Sequence, residues 1–213
     1  MLLKVFLVLC LIAAPLLAHA QEEEVINLAP NPSFEQDEAI LNDAGWTDWY
    51  TWNDPAGAGG IVEFDENEFI DGERSLRVEP KGPVDWHYIV ANDGNAVADG
   101  KDHTVSFWAK AQDVRPLNVH IKATDNSISF NNTPFTLSTE WAEYTFTFDA
   151  LKTPVKVEFL CGVSETPFWV DFLNVYEGEY VEGIMPSELA PPGEPVEPAG
   201  KLAVRWASLK LLQ

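Results

Sequence analysis

The chain is poor in cysteine, in cations and in helical pattern, and each shortage excludes something. Two of its 213 residues are cysteine. Cys10 falls in an apolar N-terminal stretch, and Cys161 ends the run Val157-Glu158-Phe159-Leu160-Cys161. Once that N-terminal stretch is removed, no intramolecular disulfide can form. The domain must then be held by its core, with or without a metal. Cys161 reads as a small buried apolar side chain rather than a reactive thiol. Lysine and arginine number 13 against 34 aspartates and glutamates, a formal net charge of −21. So acidic a surface repels phosphate backbones, and no nucleic-acid partner is expected. Calcium, a hard oxygen-seeking ion, suits it better, although most of these carboxylates need do no more than keep the protein soluble. One of the four histidines, His19, lies in the N-terminal stretch. No HExxH zinc signature, GxSxG elbow or glycine-rich phosphate loop occurs. Carboxylate pairs can be drawn from 34 acids at will, so they say nothing about glycoside hydrolysis. Nothing in these patterns supports an enzymatic reading.

What is present begins with Met1-Leu2-Leu3-Lys4, an apolar run from Val5 to Leu17, and Ala18-His19-Ala20. One positive charge, a short apolar core and a small-x-small site describe a secretory signal peptide over residues 1–20. The run is shorter than the roughly 20 residues of a membrane span, so none is expected after cleavage. The mature protein is expected to be secreted, extracellular or periplasmic.

Residues 21–183 read as one β domain. Turn signals recur at Asn53-Asp54-Pro55, Gly59-Gly60, Asp71-Gly72, Asp93-Gly94-Asn95, Asp99-Gly100 and Asn131-Asn132. Between them lie strand-like runs near 61–64, 74–79, 86–91, 103–111, 117–124, 141–149, 154–161 and 167–176. Strands at this spacing imply an all-β fold, a jelly-roll sandwich of two antiparallel sheets. Residues 184–199 form a Pro/Glu-rich linker. In the tail, 200–213, Leu202, Trp206 and Leu209 fall at helical spacing among Lys201, Arg205 and Lys210. This short basic amphipathic segment is a candidate contact for an envelope component or a protein. It also resembles a GKLA-x-x-W-x-x-LK ending that follows proline-rich linkers in some secreted bacterial proteins.

Five phrases recur in order: Asn31-Pro32-Ser33-Phe34-Glu35, Gly72-Glu73-Arg74-Ser75-Leu76-Arg77-Val78, Thr104-Val105-Ser106-Phe107-Trp108-Ala109-Lys110, Trp141 to Phe148, and Phe168-Trp169-Val170-Asp171-Phe172. Together they resemble the carbohydrate-binding modules of the CenC-like group, families 4, 9, 16 and 22. The likeness covers residues 27–177, with His103 in place of a usual aromatic and Asp171-Phe172 in place of a usual Asp-Asp pair. It implies a jelly-roll that binds glycan chains and travels with glycoside hydrolases. It also implies a structural calcium where the N-terminal segment, the 72–75 turn and the closing strand converge. The Glu35 and Asp171 side chains are its expected ligands, with carbonyls of Ser33 and Glu73. Alternatively, the two carboxylates pair with Arg74 or cap backbone amides, since a bare charge in an apolar stretch is expensive.

A sugar ring has apolar C–H faces that a flat aromatic can bury, while its rim hydroxyls need polar partners. Val119, Ile121 and Ala123 alternate with His120, Lys122 and Thr124, setting an apolar face beside a donor-rich one. The expected ligand groove is floored by Trp86, with Tyr88 on the same face, and His120, Lys122 and Glu158 supply hydrogen bonds. Trp49 and Trp52 either wall one end of it or pack beneath their loop, and the resemblance implies that Trp46 is a core plug. The expected function is non-catalytic binding of a polysaccharide, and the resemblance implies a β-glucan or xylan. The alternatives are an envelope or matrix interaction protein using its tail, and a glycoside hydrolase.

Overall fold

The computed structural model describes residues 25–35, 48–54, 59–182 and 184. The signal segment, the linker beyond 184, the tail and Trp46 lie outside them. Among the described residues, ten strands divide between two sheets: β1 Trp49–Asn53, β2 Gly59–Asp65, β3 Ser75–Lys81, β4 Tyr88–Asn95, β5 Asp102–Ala111, β6 Arg115–Ala123, β7 Ser129–Leu137, β8 Ala142–Asp149, β9 Val155–Leu160 and β10 Phe168–Glu177. One sheet has the order β1-β4-β9-β6-β7 and the other β2-β3-β10-β5-β8. All recorded pairings are antiparallel. This is the expected all-β sandwich. Among the described residues no helix is long and apolar enough to cross a membrane.

Strand parity builds the core. In β6, Leu117, Val119, Ile121 and Ala123 point inward and are fully buried, while Asn118, His120 and Lys122 point to the other face. In β5, Phe107 is buried against Phe135, Tyr144 and Phe159, and Trp108 turns outward. Tyr144, Phe146 and Phe148 share a face of β8 and pack on the same cluster. Cys161 is buried, and burial pushes its thiol up to about 12, in keeping with an inert apolar role.

β2 takes in Gly59-Gly60 and β4 takes in Asp93-Gly94-Asn95, both expected as turns, and two further strands depart from the sequence reading. β1 runs through a segment expected as loop, and β7 passes straight across Asn131-Asn132, expected as a turn. β7 is an edge strand, the place where a sheet accommodates Pro134 without losing a ladder bond. Another departure is local: Asp85–His87 form a 3₁₀ turn, so β4 begins only at Tyr88.

Candidate functional site

The outer face of the β1-β4-β9-β6-β7 sheet carries a cavity of about 630 Å³. Each strand reaches it by parity. β1 sends Tyr50 and Trp52 outward while Trp49 and Thr51 stay buried. β6 contributes His120 and Lys122, and its neighbour β9 contributes Lys156, Glu158 and Leu160. The 3₁₀ turn before β4 adds Asp85 and Trp86.

Trp86 and Trp52 are the solvent-facing rings, 46% and 39% exposed. Their centroids lie 6.1 Å apart with planes 30° apart, a stacked pair from two elements. The turn that carries Trp86 is firmly anchored. Gly162 N donates to Asp85 O at 2.8 Å, and Asn118 Nδ2 donates to Asp85 Oδ2 at 2.7 Å. Asp54 N, just past β1, donates to His87 O at 2.9 Å, which ties the two tryptophan-bearing segments together.

The floor is a buried charge network. Glu158 accepts from His120 Nδ1 at 3.1 Å and from Lys156 Nζ at 3.3 Å. Lys156 Nζ also donates to Tyr50 Oη at 2.9 Å. Burial alone would raise the Glu158 carboxyl. The His120 hydrogen bond and the charges of Lys156 and Lys122 outweigh it and hold the group below its ordinary range. Burial, aided by the charges of Glu158 and Asp93, pushes the Tyr50 phenol far up, so it stays a neutral hydroxyl. Two accessible indoles thus flank a floor of fixed donors and acceptors, a surface suited to a polyhydroxylated ring.

Of the expected ligand residues, Trp86, Trp52, His120, Lys122 and Glu158 meet here. Tyr88 and Trp49 do not. Tyr88 is 2% exposed and belongs to the core, because the 3₁₀ turn breaks the two-residue alternation that would place it beside Trp86. Trp49 is 1% exposed, 4.6 Å from the Phe34 ring, and donates from Nε1 to Asn31 O at 3.0 Å. It packs in the core beneath the 31–34 segment. Tyr50 and Lys156 were missed, although each lies two residues from a residue that was named.

Glu35 and Asp171 converge on one turn. Asp171 Oδ2 accepts from Ile70 N at 2.9 Å and Asp71 N at 3.0 Å, and Glu35 Oε1 accepts from Glu73 N and Arg74 N at 2.9 and 3.2 Å. A bulge in β10 after Asp171, with Phe172 at φ +48°, accompanies this placement, and Phe172 N donates back to Asp171 Oδ1 at 2.8 Å. Burial pushes the Asp171 carboxyl up to about 7 despite these amides. The amide-capping alternative is therefore what these contacts display. Arg74 Nε goes to Phe34 O, and Ser33 is buried in the same segment. Among the described residues no three His, Cys, Asp or Glu side chains gather as a metal cage. A calcium ion here would take most of its oxygens from the backbone.

A family model described as a carbohydrate binding domain matches residues 27–163. A solved structure reported under CBM4 structure and function is 23% identical, with TM-score 0.57, over 70% of this chain and 99% of that one. A Bacteroides thetaiotaomicron protein whose structure was reported under a sugar-binding assignment is 12% identical, with TM-score 0.54, over 72% of this chain and 100% of its own. An arabinose-bound α-L-arabinofuranosidase is 11% identical, with TM-score 0.54, over 74% of this chain and 27% of that enzyme. No curated protein matches the chain.

Proposed function

This chain belongs to the carbohydrate binding domain family, and from that premise we propose that its groove holds a β-linked glucan or xylan without transforming it. The observation that carries the reading is the stacked, solvent-facing pair Trp52 and Trp86 beside a buried polar floor. Indole faces cover the C–H faces of pyranose rings at low entropy cost, and the floor answers the hydroxyls. A hydrolase would need a carboxylic acid held protonated near neutral pH. The groove carboxylates instead serve partners, Glu158 to His120 and Lys156, and Asp85 to Asn118. Affinity electrophoresis on a panel of β-glucans and xylans, with reducing-sugar release measured in parallel, tests this. Retardation without sugar release is the expected result. No retardation on any polysaccharide would overturn it.

The same reading places the protein outside the cytoplasm after removal of residues 1–20, with a calcium ion bracing the Glu35–Asp171 turn. It leaves the 200–213 tail as a second contact for an envelope component or protein.

A further inference from the structure

The groove holds an electrostatic mismatch that a neutral glycan does not use. Lys122 in β6 and Lys156 in β9 are direct cross-strand partners on the groove face. Like charges placed opposite each other destabilise a sheet. Lys156 is compensated: Glu158 lies at 3.3 Å and the Tyr50 hydroxyl at 2.9 Å. Glu158 is in turn engaged by His120, and Asp85, the other carboxylate lining the groove, accepts from Asn118 and from Trp86 N. Among the described residues, no carboxylate lies within ion-pair distance of the Lys122 ammonium. Lys122 feels Glu158 only at longer range, as one of the charges that hold that carboxyl low, so a chain with 34 acidic residues leaves a cation without an ion pair of its own in its cavity, beside a second one.

Building on the binding reading above, we propose that the groove prefers polysaccharides carrying carboxylates, uronic acid units in or on the chain, with Lys122 as the anion-pairing residue. Lys122 lies on the same face as the stacking tryptophans, so a sugar ring held by Trp86 and a carboxylate held by Lys122 can belong to one chain. A net charge of −21 works against this preference everywhere else on the protein. Non-specific electrostatics thus predict weaker binding of acidic glycans, the opposite outcome.

The test compares a neutral xylan with a glucuronic-acid-substituted xylan of similar length, titrated against the full chain at low and moderate salt. Wild type is expected to favour the acidic xylan by roughly fivefold, the scale of one partly desolvated ion pair, with the preference shrinking as salt rises. Lys122→Gln should bring the affinity ratio to unity, and Lys122→Arg should retain it. A wild-type ratio at or below one, or a ratio unchanged in Lys122→Gln, overturns the proposal while leaving glycan binding intact. Failure of wild type to bind either xylan, or any panel member, would instead overturn the function reading itself.

Discussion

The Trp52 and Trp86 rings stack at 6.1 Å although they come from different segments, β1 and the 3₁₀ turn before β4. Neither segment presents both rings, so the platform exists only when the two are packed together. Trp86→Ala removes the more exposed half, and the expected loss is roughly 30-fold in affinity, about 2 kcal/mol, with unchanged melting temperature. Trp52→Ala should cost less, since Trp86 remains. Trp49→Ala should behave oppositely: the ring is core, and its loss should cost about 3–5 kcal/mol of stability. Isothermal titration beside thermal unfolding separates the three. Wild-type affinity in Trp86→Ala refutes the platform.

Gly162 offers a route to the same tryptophan without touching it. A Cβ there would stand 2.2 Å from Val84 O and 3.2 Å from Asp85 O, backbone atoms of the turn that carries Trp86. Gly162→Ala must displace that turn, and glycan affinity is expected to fall several-fold along with the melting temperature. Gly59→Ala, whose Cβ meets nothing within 4 Å, is the control and should alter neither. Equal affinities in both variants would show that the turn does not position the ring.

Alternation made most of the fold legible. Val119, Ile121 and Ala123 against His120 and Lys122 state both the strand and its two faces. Where each position could belong to either face, the signal failed. Trp49, Tyr50 and Trp52 crowd one short stretch with aromatics, and parity alone, invisible without the pairing to β4, divides core from groove. Asn131-Asn132 and Pro134 spell a turn locally, but the edge position of β7 overrides them. Tyr88 was misplaced by one short turn that shifts the phase of the chain. Lys156 escaped notice because β9 is buried along its whole length, so that its cation is enclosed rather than solvated.

The Glu158 network has a definite pH signature. Its folded-state acidity is enhanced, so its contribution to stability is complete above the ordinary carboxyl range and disappears as pH falls through its depressed value. Glu158→Gln leaves Lys156 buried without its counter-charge, at a cost of about 3 kcal/mol near neutrality. The gap in unfolding free energy between wild type and variant should therefore narrow as acid is added below about pH 4. Denaturant melts from neutrality downward would show it. A gap constant with pH would mean that the ionised carboxylate is not what holds Lys156.

The turn gripped by Glu35 and Asp171 decides whether calcium belongs in this domain. Both carboxylates already satisfy backbone amides there, so substitution of either destabilises the turn with or without a metal. The absolute melting temperature is thus a poor witness, and the shift on adding calcium is a good one. An ion bound to the folded form alone adds about 2.7 kcal/mol at a hundred times its dissociation constant. For a domain of this size that is roughly 5–10 °C. Wild type treated with EGTA should gain such a shift when calcium is restored. Glu35→Gln, an exposed position that the fold should tolerate, should lose most of it, and Asp171→Asn all of it. Gly72→Ala gives an independent check, because its Cβ would fall 2.2 Å from Glu35 Oε1 and push that carboxylate from the turn. Identical melts with EGTA and with calcium, together with no calcium by elemental analysis, would leave the amide caps as the whole of what these two acids do.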